Sequence, residues 1–170
     1  MEENNNIVPT NVAYSSYVLI DNIQKLKNRY KFLVVGNIGY SVLGKPIPYI
    51  KIGNGPNEVM YSGSIHANEW INSVVLMKFV EDFAKSYENN DFIYGYSARE
   101  IFNNTTIYII PMVNPDGVDL VTGVIPENTG IYNNFKDISL KFPNIPFPSG
   151  WKANFNGVDL KNYQPFRKVL

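Results

Sequence analysis

The sequence predicts an α/β fold. Two observations carry this. Segments with apolar residues at helical spacing alternate along the chain with short β-branched and aromatic runs, in the order helix, hairpin, strand, helix, strand. Aromatic residues make up 14% of the 170 positions, mostly Tyr and Phe, and these side chains suit a half-buried pleated surface.

Residues 1–15 read as a polar lead-in and 16–170 as a single domain, for which the length is sufficient. Over 16–30, Tyr17, Ile20, Ile23, Leu26 and Tyr30 recur at helical spacing, with Ser15 or Ser16 as the N-cap. Residues 32–35, with Ile38 and Tyr40, predict a strand; Gly44-Lys45-Pro46 marks a turn, and 47–52 a second strand. Gly53-Asn54-Gly55-Pro56-Asn57 is a further turn before a third strand over 59–65. The segment 69–87 lacks Gly and Pro. Its apolar residues, including Ile71, Val74, Val75, Met77, Phe79, Val80 and Phe83, predict a well-buried helix, with Lys78, Glu81, Asp82 and Lys85 outside. A short helix is expected over 97–102. The run Thr-Thr-Ile-Tyr-Ile-Ile at 105–110 predicts a buried central strand. From Pro111 to Gly157 the chain is rich in Asn, Pro and Gly and reads as a long irregular stretch, a functional loop region.

Several function classes are disfavoured. Acidic and basic residues balance at 15 each without a basic cluster, which argues against nucleic-acid binding. The absence of cysteine excludes disulfides and thiolate metal sites. No apolar run is long enough for a membrane span. The first residues, Met1-Glu2-Glu3-Asn4-Asn5-Asn6, have no basic or apolar leader character; a cytoplasmic location is expected as written, and a secreted or cell-wall-associated one if a leader was removed.

His66 is the only histidine. It lies in Gly63-Ser64-Ile65-His66-Ala67-Asn68-Glu69-Trp70, where a strand is expected to give way to a helix, the usual position for sites in open α/β sheets. Glu69, three residues on, shares its face if the turn is helical. An imidazole and a carboxylate so placed are two standard zinc ligands. They are equally an ordinary histidine and a glutamate favoured by a helix N-terminus. Pro111-Met112-Val113-Asn114-Pro115-Asp116-Gly117 follows the expected central strand and reads as a stiff turn. A third motif is Trp151-Lys152-Ala153-Asn154-Phe155-Asn156-Gly157-Val158-Asp159-Leu160.

In this order and spacing the three motifs resemble the zinc carboxypeptidase family. There H-x-x-E supplies two zinc ligands, P-x-x-N-P-D-G closes a central strand, and R-x-N-x-x-G-V-D-L-N-R carries oxyanion and substrate-carboxylate groups. The resemblance covers about 16–160, the N-terminal part of the family's catalytic domain. It implies a partial carboxypeptidase-like fold, with a mixed, mostly parallel twisted sheet flanked by helices. It implies His66 and Glu69 as zinc ligands and Lys152 in place of the Arg that polarises the scissile carbonyl, a change that keeps the charge and loses the planar fork. Beyond Leu160 direct register aligns Lys161 and Asn162 with the family's Asn-Arg. If Lys161 is an insertion, Asn162 supplies the Asn and Tyr163 replaces the Arg. In either register the bidentate reader of a terminal carboxylate is missing. This resembles bacterial members that cleave γ-D-glutamyl–diamino acid bonds, so the implied partner is a peptide of the cell-wall muropeptide type.

The resemblance further implies a third zinc-binding His, a capping Tyr and a general-base Glu that have no counterpart in this sequence. Zinc is therefore expected to bind this chain alone weakly or not at all, and peptide hydrolysis to be absent or incomplete. Two other readings compete: a catalytically dead remnant that binds or assembles, and an unrelated α/β domain with a coincidental H-x-x-E. A homo-oligomer is also expected, formed through 105–110, an uncharged run of high β-propensity that would lack a neighbour or its covering layer where the family's remaining strands are absent; the alternative is that the Pro-rich region 144–151 folds back and covers it.

Overall fold

The computed structural model describes residues 6–161. A four-stranded mixed sheet has the order β1-β2-β6-β3, with β1 Val34–Tyr40, β2 Pro46–Ile52, β3 Asn57–Ser62 and β6 Thr105–Ile110. β1 pairs antiparallel with β2, β2 antiparallel with β6, and β6 parallel with β3. The mixed sheet agrees with expectation, whereas one of these three pairings, not most, is parallel. A hairpin of β4 Phe92–Ile93 and β5 Tyr96–Ser97 stands apart.

Helix α1 spans Ser16–Arg29; the Ser15 side chain caps it by accepting from the Val18 amide, and Lys27 and Arg29 lie in its last turn. Cations there complement the helix dipole. Its buried Leu19, Ile23 and Leu26 pack in one core with Ile50 and Ile52 of β2 and Ile107 and Ile109 of β6. Helix α2, Ile71–Glu88, adds Val74, Met77, Val80 and Phe83 to that core. Two of its apolar residues are not buried as expected: Ile71 is 52% and Val75 61% exposed. Glu81, expected outside, is completely buried. Its carboxylate accepts from the Ile7 amide at 2.6 Å and the Val8 amide at 3.3 Å, and Lys78 and Lys85 lie 3.2 and 3.3 Å away. The lead-in is thereby clasped to α2, and Val8 and Tyr14 join the core.

The strand at 105–110 is central, paired on both sides by β2 and β3, so it is not the free edge that was expected. Among the described residues the sheet's edges are β1 and β3, and in β3 Val59, Met60 and Tyr61 are all exposed. After α3, Ala98–Asn104, and β6, two helices occupy the stretch read as irregular: α4 Pro115–Val121 and α5 Gly130–Ser139. Asn-Pro-Asp-Gly is the start of α4, not a free turn. Asn114 is the N-cap, Pro115 fits the first turn where its missing N–H costs nothing, and Asp116 faces the positive helix end.

Buried carboxylates bind α4 to its surroundings. Asp119 accepts from the Ser16 amide at 2.7 Å and Lys45 Nζ at 2.6 Å, while Asp116 accepts from Ser41 Oγ and the Leu43 amide. The start of α1, the β1–β2 turn and α4 are thus held together at the end of the sheet that carries the three sequence motifs.

Candidate active site

The chain leaves β3 through Gly63 and Ser64, and a 3-10 turn, Ala67–Glu69, follows His66. This turn puts both side chains on one side: His66 Nδ1 lies 2.9 Å from Glu69 Oε1. The other ring nitrogen, Nε2, faces Asp159 Oδ1 at 3.4 Å, a charge-pair distance and not a closed hydrogen bond. His66 is 12% exposed and Glu69 46%. The imidazole is enclosed and the carboxylate reaches the surface.

The other two motifs hold this turn from behind. The Ala67 amide donates to the Lys152 carbonyl at 3.1 Å, and the Asn68 amide to the Trp151 carbonyl at 3.0 Å. Asn114 caps α4 through its Oδ1, while its Nδ2 reaches the carbonyls of Ile65, Lys152 and Ala153 at 3.4, 3.3 and 2.9 Å. One buried amide therefore touches all three motifs. Gly117 must be glycine at this junction, because a Cβ would stand 2.7 Å from the Ala67 Cβ and 2.8 Å from the Ala153 carbonyl oxygen.

A second apolar cluster supports the Lys152 segment. Trp151 and Phe155 each meet Phe135 of α5 edge-on, at 5.3 and 5.1 Å, and Trp151 Nε1 donates to the Ala153 carbonyl. Asn154 Oδ1 accepts from the amides of Asn156 and Val158, and Gly157, at φ +75°, completes the turn that returns Asp159 to His66. The Lys152 backbone is fixed beside the 3-10 turn, and its side chain is exposed. A cavity of about 190 Å3 has Lys152 and Asp159 in its wall, together with Phe142, Ile145, Phe147 and Trp151.

His66 and Glu69 thus converge and Lys152 lies on the adjoining segment; Asn162 and Tyr163 fall outside the described residues. Sequence reasoning singled out neither Asp159 as the neighbour of Nε2 nor Asn114 as the shared anchor, although both stand inside quoted motifs. Donor chemistry tests the fit to zinc. An imidazole nitrogen and a carboxylate oxygen facing each other at 2.9 Å suit two positions of one metal, and the carboxylate at the far nitrogen is the usual partner of a ligating imidazole. Among the described residues, no group of three or more His, Cys, Asp or Glu is placed to hold an ion. The residues fit part of a zinc site, not a closed one.

The sequence pattern of the zinc carboxypeptidase family matches residues 19–166. The chain is 42% identical over 157 residues to gamma-D-glutamyl-L-diamino acid endopeptidase 1 of Lysinibacillus sphaericus, covering 92% of this chain and 39% of that protein. It is 33% identical over 120 residues to carboxypeptidase E of Caenorhabditis elegans, covering 64% of this chain and 25% of the relative. Among solved structures, bovine thrombin-activatable fibrinolysis inhibitor, in complex with tick carboxypeptidase inhibitor, superposes with a TM-score of 0.56 at 22% identity. That match covers 82% of this chain and 36% of the other, a likeness of fold. The chain therefore spans well under half the length of the relatives it matches. By its sequence pattern, its three motifs and its fold, this chain belongs to the zinc carboxypeptidase family.

Proposed function

We propose that this chain forms one part of a zinc-dependent peptidase site, with His66 and Glu69 as metal ligands. The convergence of His66 Nδ1 and Glu69 Oε1, with Asp159 behind the imidazole, carries the reading. A zinc ion bound there would lower the pKa of a coordinated water and polarise a peptide carbonyl. The chain's own residues orient and stabilise. Asp159 favours the imidazole form that offers Nδ1 to a metal. Lys152 supplies a cation for negative charge developing on the carbonyl oxygen. The apolar walls of the adjoining cavity receive part of the peptide. No general base is assigned among the residues of this chain.

The 170-residue chain alone is therefore expected to bind zinc weakly, through two protein ligands where catalytic sites use three, and to hydrolyse no peptide. Calorimetric zinc titration should show that His66→Ala removes the binding. Zinc-dependent turnover by the unmodified chain that His66→Ala abolishes would refute the incomplete-site reading.

The proposed substrate class is the γ-D-glutamyl–diamino acid bond of cell-wall peptides. It is supported by the name of the Lysinibacillus relative and by the missing carboxylate-reading Arg after Leu160. A chimera that appends the rest of that relative's domain to this chain should prefer such a peptide over an ordinary peptide C-terminus. The opposite preference rejects the assignment. Among the described residues, no helix is long and apolar enough to cross a membrane.

We also infer that the chain self-associates through β3. Among the described residues no strand pairs with the side of β3 that faces away from β6, and Met60 there is 67% exposed. Tyr61, Ile71, Val75 and Tyr94 beside it line a cavity of about 620 Å3. Such an edge recruits another strand, and two-fold pairing is the commonest arrangement. Sedimentation velocity at micromolar concentration should show a dimer that Met60→Lys disperses. A monomer at all concentrations rejects it.

A further inference from the structure

We propose that Ser64 is a positioning residue for the His66–Glu69 pair, its hydroxyl locking the left-handed backbone from which the turn carrying both side chains departs. Ser64 has φ +49° and is almost completely buried. L-residues adopt this region at a cost, and Ser is not among those that visit it readily. The surroundings must therefore hold it there. Ser64 Oγ lies 2.6 Å from Ser73 Oγ and 3.3 Å from the Glu69 carbonyl, and Ser73 Oγ lies 2.7 Å from the Pro111 carbonyl.

These contacts form a relay: Glu69 carbonyl, Ser64, Ser73, Pro111 carbonyl. Three contacts share two protons. If both hydroxyls donated to carbonyls, two oxygens 2.6 Å apart would face each other with no proton between them and repel, so one hydroxyl donates to the other. Either Ser64 donates to Ser73 and Ser73 to Pro111, or Ser73 donates to Ser64 and Ser64 to Glu69; the shorter distances favour the first. In both arrangements the Ser64–Ser73 bond is made, and it ties the residue two before His66 to the first turn of α2. The backbone completes the clamp: the Asn114 amide donates to the Ser64 carbonyl at 3.1 Å and the Val113 amide to the Gly63 carbonyl at 3.0 Å. Ser64 thus joins three elements, the end of β3, the start of α2 and the approach to α4. It makes no direct contact with either proposed ligand atom. Its role is to fix where their shared turn begins.

The consequence for zinc rests on the proposed metal reading; the effect on geometry does not. Because His66 is the only histidine, the 15N signals of its ring are unambiguous in the metal-free, uniformly labelled chain. Ser64→Gly keeps the left-handed conformation at no steric cost and removes the hydroxyl together with its Cβ. Ser73→Ala breaks the same bond while leaving residue 64 unchanged, and Ala suits a helix. Both variants are expected to keep a cooperative melting transition while their imidazole 15N shifts move together toward those of free histidine. Their zinc affinity should fall by up to about tenfold, less than the roughly ten- to hundredfold cost of removing a group bonded directly to a ligand. Wild-type 15N shifts in a folded Ser73→Ala chain would overturn the proposal, and its design guards against Ser64→Gly failing to fold. If His66→Ala leaves zinc affinity unchanged, the metal reading fails, and the 15N shifts still decide the role of Ser64.

Discussion

Replacing Glu81 by Gln is expected to destabilise the chain by about 3 kcal/mol, the low end of the cost of breaking a buried charge network by removing one partner. The carboxylate is completely buried and accepts from two backbone amides, Ile7 and Val8, that have left water with it. Hydrogen bonds to a charged group are the stronger kind. Gln can present one oxygen where two were used, and its amide hydrogens would confront the Ile7 or Val8 N–H. Lys78 and Lys85 are partly exposed and regain water, and Lys78 keeps Asp82 at 2.7 Å, so the cost stays below that of stranding a buried cation. Urea denaturation should show a lower midpoint, and residues 7–14 should exchange their amide hydrogens much faster. Unchanged exchange there would mean that the packing of Val8 and Tyr14 alone secures the lead-in.

The same group gives a pH dependence of known sign. Burial alone would raise the Glu81 pKa, but the Ile7 and Val8 amides and Lys78 outweigh it and hold the carboxyl below its ordinary range. A carboxyl depressed in the folded state stabilises fully above its unfolded pKa of about 4.3, and that contribution is lost as pH falls through the folded value. The stability difference between wild type and Glu81→Gln should therefore be constant above about pH 5 and shrink on further acidification. Denaturation measured from pH 3 to 7 checks it, and a difference that grows toward low pH refutes it.

Much of the architecture was legible because periodicity reports burial. The helix at 16–30, the first three strands and the helix after Glu69 all follow from apolar spacing, and the density of β-branched residues marked 105–110 as a central strand. What escaped was written in ambiguous or distant terms. Asn, Pro, Asp and Gly at 114–117 serve both turns and helix starts, and only the following Val118-Asp119-Leu120-Val121 tips the balance toward α4. Glu81 reads as a solvent-facing charge because its partners, the amides of Ile7 and Val8, lie 74 and 73 residues away. The edge was misplaced for a related reason: β6 enters between β2 and β3, neither of which is its neighbour in sequence. At the site, the motif spacing gave the residue types and the i, i+3 pair. It did not give the approach of Asp159 to His66, which depends on the turn at Asn154–Gly157 and on Trp151 seated against α5.

Asn114→Ala is expected to cost about 3 kcal/mol, combining roughly 1–2 for a lost N-cap with roughly 1–1.5 for a buried hydrogen bond. The residue is 2% exposed, and its two amide atoms do different jobs: Oδ1 caps α4 at the Gly117 amide, and Nδ2 holds the Ala153 carbonyl at 2.9 Å. The carbonyls of Ile65 and Lys152, at 3.4 and 3.3 Å, contribute less, and the Lys152 carbonyl keeps the Ala67 amide. Substitutions separate the two jobs. A serine side chain would retain a capping oxygen and lose the reach to Ala153, so Asn114→Ser should recover only the capping share of the loss. Asp is as good a cap as Asn, but it turns the donor into a second anionic oxygen aimed at three carbonyls. Asn114→Asp should therefore be no more stable than Asn114→Ala at neutral pH, although capping preference alone ranks it level with wild type. Chemical denaturation gives the stabilities. Trp151 fluorescence, read in a Trp70→Phe background, and proteolysis between Trp151 and Asp159 report whether the third motif has left the His66 turn. If Asn114→Asp matches wild type in both, the amide is only a helix cap, and the three motifs are held together by backbone contacts and the packing at Gly117.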